Sequence, residues 1–306
     1  MAGYVCTETI DYVNLINRME KTRDMYLIVD GAIDGMPEMI ERCYRNGWTA
    51  YPLAPPDSFF KSSDLIQLPH ILGEYPLNFA MELGGKFLGA NAFIFVSGGR
   101  DILAVRSALV KMLWVDLPGG GKPAWFRFYA PNVLRAFFQK AGPADLNFAF
   151  GGGIAGYWCE LIPGGSADSP PNEYLKPVER LTFFALPAGG TDPAGERLAF
   201  NGSRMAVMIE EHAEYLTTLV CRHLAARIGA EDDRWPRLRG FAGKSIEQAA
   251  AYGLAACRAL CLYVEAAMVY GENFAIELDE TRTVIPKPGF PDNYKEEVLE
   301  RLLKRA

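Results

Sequence analysis

The fold of this chain is decided by residues 109–138, LVKMLWVDLPGGGKPAWFRFYAPNVLRAFF. Two apolar, β-prone runs at 111–117 and 124–129 flank a proline-glycine turn at 118–121, and this arrangement predicts a β-hairpin. Pro131 then occupies the position of a first helical residue, where its missing N–H costs nothing. The sequence therefore predicts a hairpin that is followed directly by a helix.

The second strand of this hairpin carries aromatic residues and one cation. Because side chains alternate along a strand, we expect Trp125, Arg127 and Tyr129 on one face, and Phe126 and Phe128 on the other. One hypothesis is that Arg127 binds a carboxylate or carbonyl group of a partner beside two aromatic anchors. The alternative, which we favour, is an ion pair or cation–π contact inside the domain, because buried arginines are usually paired there.

The same stretch resembles a known family. Residues 126–134, FRFYAPNVL, closely resemble the FRFYDP-x-VL signature of the adaptor family of the type VI secretion system, whose members are also called effector chaperones. Further likeness extends over residues 26–32 (YLIVDGA), 97–101 (SGGRD), 251–254 (AYGL) and 270–274 (YGENF). The resemblance covers most of residues 25–160 and, more weakly, 205–275.

The resemblance implies a function and a set of positions. It implies a non-enzymatic cytoplasmic chaperone that holds a toxic effector and loads it onto the VgrG spike protein at the tip of the secretion apparatus. The resemblance also implies that six residues either bind a partner or form the scaffold of the signature: Asp30, Trp125, Arg127, Phe128, Tyr129 and Pro131. We expect such a chaperone to bury an apolar segment of the effector in a groove, over about 1,000 Å² or more.

The chain departs from the family signature at Ala130, where the family usually has Asp. Alanine is a poor N-cap, and its replacement of a good one costs about 0.5–2 kcal/mol. The helix is still expected to begin here, because Pro131 pushes residue 130 into the extended region that an N-cap needs. This reasoning predicts that Ala130→Asp stabilises the fold.

Composition limits the classes of function. The 306 residues are 50% hydrophobic, which allows a substantial core in one large or two modest domains. A formal charge of −6 and a pI near 5.3 argue against a nucleic-acid partner. Neither a long apolar run nor a secretory signal is recognisable, so we expect a cytoplasmic protein without a membrane partner. The six cysteines form no CxxC pair and are expected to be buried thiols.

The chain is predicted to contain two lobes. Strand-like and helix-like patterns alternate over residues 1–162, and helical patterns dominate residues 203–306. Residues 163–202 are rich in Pro, Gly, Ser and Asp and are predicted as a connector, interrupted by a strand-like run at 181–186. The predicted class is α+β or α/β, with a mixed-sheet N-terminal lobe that contains the hairpin and an all-helical C-terminal lobe.

Local signals predict individual elements. Strands are predicted at 25–30, 48–53 and 91–97, with an edge strand at 156–162. Helix starts are predicted at Pro37, Asp101, Ser245 (through a capping box) and Asp292 (as the cap of the last helix).

The chain contains one glycine-rich motif. The segment from Gly151 to Gly156, GGGIAG, satisfies the GxGxxG pattern, but a dinucleotide site needs a helix after the third glycine, and residues 157–162 look extended. Asp30 at a strand end is either a catalytic carboxylate or a loop anchor, and we favour the anchor. No cofactor is therefore expected. The alternative function is a small-molecule enzyme that uses this loop and Asp30, and a purely structural subunit is a third option.

Metal-ligand patterns are equally sparse. His212 and His223 are predicted on one helix, about 16 Å apart and too distant to share a metal ion, and His70 is expected in a loop. Cys257 and Cys261 are spaced i, i+4 on an apolar helix, with no other ligand beside them in the sequence. The sequence therefore predicts no catalytic residue and no metal site.

Overall fold

The structure is a computed structural model that describes residues 6–22, 25–54, 65–99, 101–161, 171–185, 197–228 and 235–306. Within those residues, a seven-stranded antiparallel sheet occupies the N-terminal half, and helices dominate the remainder. This confirms the predicted α+β class, with a sheet-containing lobe before a mostly helical one. Residues 163–170 and 186–196 of the predicted connector lie outside the described residues.

Ten strands form two sheets in the described part of the chain. In chain order they are β1 (Cys6–Asp11), β2 (Met25–Asp30), β3 (Ala50–Pro52), β4 (Pro69–Leu72), β5 (Phe93–Gly98), β6 (Trp114–Asp116), β7 (Ala124–Trp125), β8 (Ile154–Glu160), β9 (Arg180–Ala185) and β10 (Leu198–Ala199). The larger sheet has the order β1-β9-β8-β5-β2-β4-β3, and the smaller has the order β10-β6-β7.

Twelve α-helices accompany these strands, counted over the same residues. In chain order they are α1 (Tyr12–Thr22), α2 (Met36–Arg45), α3 (Leu77–Phe87), α4 (Ile102–Met112), α5 (Pro131–Lys140), α6 (Pro143–Ala149), α7 (Pro171–Tyr174), α8 (Gly202–Arg227), α9 (Leu238–Ala251), α10 (Cys257–Tyr270), α11 (Phe274–Glu277) and α12 (Asp292–Leu303). Helix α10 has eight buried residues among its fourteen, as a helix that is apolar on most sides should.

The larger sheet is antiparallel at every described pairing, whereas the sequence predicts a mixed sheet. The reason is the position of β2. Strands β4 and β5 are joined by α3 and run in the same direction, but β2 lies between them and is antiparallel to both. A strand-helix-strand pattern predicts a parallel pair, and the inserted strand replaces that pair by two antiparallel ones. The parallel pairing of β10 with β6 belongs to the smaller sheet.

The strand predicted at the edge of the sheet lies in its interior. β8 pairs with β5 on one side and with β9 on the other, and Trp158 stacks on Phe183 of β9 with ring centroids 4.2 Å apart. The prediction was wrong because β9 comes from the segment predicted as a connector. Pairing with β9 leaves β1 as the edge strand on this side.

Both faces of the larger sheet are covered, which explains the unbroken apolar run of β2. Tyr26 and Ile28 belong to the hydrophobic core that includes α4, α5 and the hairpin. Leu27 and Val29 belong to a second core, formed with α1, α2 and α3. Alternate side chains of a strand point to opposite faces, so a strand buried on both faces is apolar at every position.

The predicted hairpin and helix are confirmed. β6 and β7 pair antiparallel, with Trp114 opposite Trp125, although the strands are shorter than predicted because Lys111 and Met112 belong to α4. Pro131 is the first residue of α5, and Ala130 has the extended backbone expected of an N-cap. The three glycines of the turn have positive φ, as at Gly119 (90°).

Two predicted helix starts are correct and two are wrong. Asp101 caps α4 by accepting a hydrogen bond from the Leu103 N–H at 2.9 Å, and Pro37 is the second residue of α2. Ser245 lies inside α9 and is buried, because the helix already begins at Leu238. Asp292 is the first residue of α12 rather than its cap, since its carboxylate accepts hydrogen bonds from the backbone N–H groups of 255 and 256, at the start of α10.

The described chain divides into two compact units. One comprises Met1–Ile162 and Val178–Glu211, and the other comprises Pro163–Pro177 and His212–Ala306. The predicted connector is therefore divided between the units, and the boundary falls inside α8. The second unit has its own hydrophobic core, formed by the C-terminal part of α8 with α9, α10 and α12.

Candidate functional site

Asp30 and Arg127 form an ion pair across 97 residues of sequence. Asp30 ends β2 and is only 1% exposed, and one carboxylate oxygen accepts a hydrogen bond from the Ala32 N–H at 3.1 Å. The other oxygen accepts from Arg127 Nη2. Asp30 therefore anchors its own loop and the signature segment, which agrees with the favoured interpretations of both residues.

The residue after Asp30 has to be glycine for a packing reason. A Cβ atom on Gly31 would overlap the backbone carbonyl groups of Ile66 and Leu68. The loop that follows β2 thus lies directly against the segment that leads into β4. This close approach helps to hold the Asp30 carboxylate at a defined position.

Arg127 is fixed at one end and exposed at the other. Its side chain is 51% exposed, and its guanidinium carbon lies 5.9 Å from the centre of the Tyr129 ring. Burial opposes the charge of Arg127, but the Asp30 carboxylate and Tyr129 outweigh burial and raise the pKa of the guanidinium above its ordinary value. The group is therefore a permanent cation with a preset orientation.

A connected group of aromatic side chains lies next to this cation through Tyr129. Trp125 Nε1 donates a hydrogen bond to the Tyr129 hydroxyl at 3.0 Å, and the rings of Trp125 and Trp114 meet edge to face at 5.1 Å. Both tryptophans are half-buried, whereas Tyr129 is buried. The structure thus brings together Trp125, Arg127 and Tyr129 as predicted, although the strand itself ends at Trp125.

The remaining signature residues lie in the interior. Phe128 is fully buried between the hairpin and the larger sheet, and Phe126 packs edge to face against Phe200. Pro131 is buried at the start of α5. Of the six predicted positions, Asp30, Phe128, Tyr129 and Pro131 are buried, while Trp125 and Arg127 reach the surface.

Sequence reasoning missed the group that supports the start of α5. Asn91, in the left-handed region at φ 57°, accepts a hydrogen bond from the Asn132 N–H at 2.8 Å and donates from its amide to the Asn132 side chain. Asn91 thereby supplies the cap that Ala130 cannot. The buried Glu160 carboxylate holds this turn by accepting from the N–H groups of Asn91 and Gly89, each at 2.6 Å. A charged residue at the end of an apolar strand is the one sequence signal that indicates such an anchor.

His70 lies in β4 and not in the predicted loop. It is buried, its Nδ1–H donates to the Leu68 carbonyl at 2.9 Å, and the Tyr44 hydroxyl is 3.0 Å from Nε2. This tautomer makes Nε2 an acceptor for the Tyr44 proton. Burial lowers the pKa of His70 to about 4, so the ring is neutral near pH 7. His70 is therefore a structural residue.

The other two histidines lie on α8, as predicted. His223 Nε2 is 2.7 Å from the Glu265 carboxylate, which also accepts from Arg227 Nε at 2.9 Å. The ring of His212 stacks beside Tyr215. Glu265 is the single charged residue in the apolar stretch 259–270 of α10. Its burial is explained by its two partners, His223 and Arg227.

The glycine-rich loop leads into a strand. Gly152 and Gly153 adopt positive φ values of 66° and 84°, and β8 begins at Ile154. The helix N-terminus that binds a pyrophosphate in dinucleotide sites is replaced here by an interior strand of the sheet. Within the described residues, no group of three His, Cys, Asp or Glu side chains is arranged to hold a metal ion.

A half-open groove of about 690 Å³ lies in the first unit, where β2 begins and β4 ends. Its walls come from α1, from the residues before β3, from the loop after β4, and from the first residues of α3 and α4. The lining combines polar and apolar surface in similar amounts, and its apolar side chains include Met19, Met25, Trp48, Leu77 and Ile102. Among the lining residues that the structure describes, Glu74 is the one that carries a charge.

No protein-family model, no curated protein and no solved structure matches this chain. Within the described residues, no helix combines the length and the apolar character needed to cross a membrane. Functional inference therefore depends on the geometry above and on the resemblance of residues 126–134.

Proposed function

We propose that this chain is a non-enzymatic cytoplasmic adaptor of a type VI secretion system, which binds an effector protein and helps to load it onto the VgrG spike. The resemblance of residues 126–134 to the family signature supports this proposal. The alternative, an enzyme that uses Asp30 and the glycine-rich loop, has less support. Asp30 anchors its own loop and Arg127, and the glycine-rich loop leads into a strand, whereas a dinucleotide site needs a helix there.

One observation carries the proposal: the signature segment is rigid on its buried side and presents Trp125 and Arg127 on its exposed side. Tryptophan, tyrosine and arginine are the residues that contribute most to protein interfaces. A guanidinium already oriented by Asp30 loses little conformational freedom when it binds a partner carboxylate. This surface is thus suited to recognition of another protein.

The proposal is tested by co-expressing the chain with the toxin encoded beside its gene and purifying through a tag on the chain. We expect the toxin to co-purify, and VgrG added afterwards to join the complex. If the two proteins neither co-purify nor change each other's solubility, the proposal fails.

Two surface variants locate the contact. Trp125→Ala removes the half-buried aromatic that reaches this surface, and Arg127→Lys keeps a positive charge for Asp30 while removing the planar fork. Both are expected to reduce recovery of the toxin. The matched control is Tyr51→Ala, which removes an exposed aromatic from the edge strand β3 and should leave recovery unchanged. Equal recovery with all three variants would rule out this surface as the contact.

A further inference from the structure

The groove in the first unit combines apolar side chains with polar surface, which suits it to an amphipathic protein segment. Met19 and Met25 lie on it, and methionine side chains adapt their shape to different apolar partners. Trp48 and Leu77 supply larger apolar surfaces. The groove volume falls within the roughly 300–1,000 Å³ range of protein ligand sites, enough to take several side chains and too small for a folded domain.

The apolar surface continues beyond the groove along α3. Leu77 is 38% exposed, and Met81, one turn further along the helix, is 42% exposed. Residues four apart on a helix lie on the same face, so the two side chains form a continuous ridge. A bound segment would therefore contact both the groove and this ridge.

The charge of the groove indicates the charge of its occupant. Glu74 is exposed at the rim, and the described residues that line the groove include no lysine, arginine or histidine. Among the described residues, Glu74 has no ion-pair partner. In contrast, Glu82, on the neighbouring α3, is already paired with Arg42 and Lys86. Glu74 is thus available to a cation brought by a partner.

We infer that this groove receives an amphipathic segment of the effector, which inserts apolar side chains and places a basic residue against Glu74. This inference rests on the proposed adaptor function for the identity of the partner. The choice of a basic segment follows from the charge of Glu74, and the choice of apolar anchors follows from the lining.

The inference is tested with two fluorescein-labelled amphipathic helical peptides, each with one apolar face and one charged face. One peptide is composed of Leu and Lys, and the other of Leu and Glu. Binding is measured by fluorescence anisotropy at low and at physiological salt. We expect the Leu/Lys peptide to bind the wild-type protein more tightly than the Leu/Glu peptide. Glu74→Lys should weaken the Leu/Lys peptide roughly tenfold, because an attraction becomes a repulsion, and the loss should shrink as salt rises.

Matched variants distinguish binding in the groove from nonspecific electrostatic or apolar binding elsewhere on the surface. Glu247→Lys changes the net charge by the same amount from an exposed position in the second unit, and it should weaken binding much less. Leu77→Ser should weaken the Leu/Lys peptide by about fivefold, whereas Leu175→Ser, another exposed leucine in the second unit, should not. Equal losses with Glu74→Lys and Glu247→Lys, or unchanged binding with Leu77→Ser, would overturn the inference.

The same variants distinguish failure of this inference from failure of the adaptor function. If the toxin still co-purifies with Glu74→Lys and Leu77→Ser, the adaptor function stands and the groove is not its site. If the peptides bind as expected but no toxin co-purifies, the basic-segment site stands and the adaptor function fails. Concentration-dependent dimerisation that Leu77→Ser abolishes would show that a second copy of this chain occupies the groove, and would also overturn the inference.

Discussion

The ion pair between Asp30 and Arg127 gives the sharpest test of how the signature segment is held. We consider Arg127→Ala, Asp30→Asn and the double variant. Arg127→Ala leaves a carboxylate that is 1% exposed without its cation. Breaking a fully buried pair in this way costs about 3–5 kcal/mol.

The expected cost here is smaller because Arg127 is 51% exposed and water reaches one side of the pair. We therefore expect Arg127→Ala to lower the free energy of unfolding of the first unit by about 2 kcal/mol. Asp30→Asn should cost less, since the amide oxygen still accepts from the Ala32 N–H and the exposed guanidinium is solvated. The double variant should be less destabilised than the sum of the single variants, with a coupling of about 1 kcal/mol.

The measurement is urea unfolding followed by tryptophan fluorescence, because Trp125 is hydrogen-bonded to Tyr129, which contacts Arg127, and Trp114 packs against Trp125. The comparison pair is Lys176 with Glu173, an exposed i, i+3 pair in the second unit, for which a smaller coupling is expected. Additive effects at Asp30 and Arg127, within about 0.5 kcal/mol, would refute the coupling and with it the anchoring role of Asp30.

Four other predictions concern the same unit. Asn91→Gly, which relieves the positive φ but removes the cap of α5, should lower the free energy of unfolding by about 1 kcal/mol, measured in urea. The structure reverses the sequence-based expectation that Ala130→Asp stabilises the fold: it should bring no gain, since the Asn132 N–H is already bonded and residue 130 is buried, and a raised midpoint would contradict the role of Asn91. His70 is neutral in the fold with a pKa of about 4, while the unfolded chain takes up a proton below about pH 6.5. Stability should therefore fall between pH 6.5 and pH 4, by about 3 kcal/mol from this residue, and His70→Gln should flatten that part of a pH titration of the midpoint. Gly31→Ala should destabilise by about 1–3 kcal/mol in the same assay, because its Cβ meets two carbonyl groups, and Gly85→Ala is the control, with open space around its Cβ and no positive φ.

Local patterns predicted most of the elements that form the signature region. The apolar run of β2, the glycine turn of the hairpin and the proline at the start of α5 each depend on neighbours within a few residues. The role of Asp101 as the cap of α4 was also predicted, because a cap and its helix are adjacent in sequence. Ser245 shows the limit of such signals, since an equally good capping pattern lies inside α9, where packing against the core of the second unit decides.

The contacts that define the candidate site join distant parts of the chain. Asn91 caps a helix 41 residues away, and Arg127 reaches Asp30 across 97 residues. The residue types at these positions are compatible with many partners, so the sequence left Arg127 with two interpretations. The groove around Glu74 was not predicted at all, because its walls come from five separate segments.

The sequence by itself determined the α+β class, the hairpin and helix at 114–140, and the apolar strands, because periodicity and turn chemistry act over a few residues. Tertiary structure alone decided the strand order, the interior position of β8, the capping of α5 by Asn91 and the pairing of Arg127 with Asp30. The physical reason is that a strand edge, a helix N–H group or a buried charge accepts any partner of suitable chemistry. Only the packing of the whole unit selects which distant residue becomes that partner.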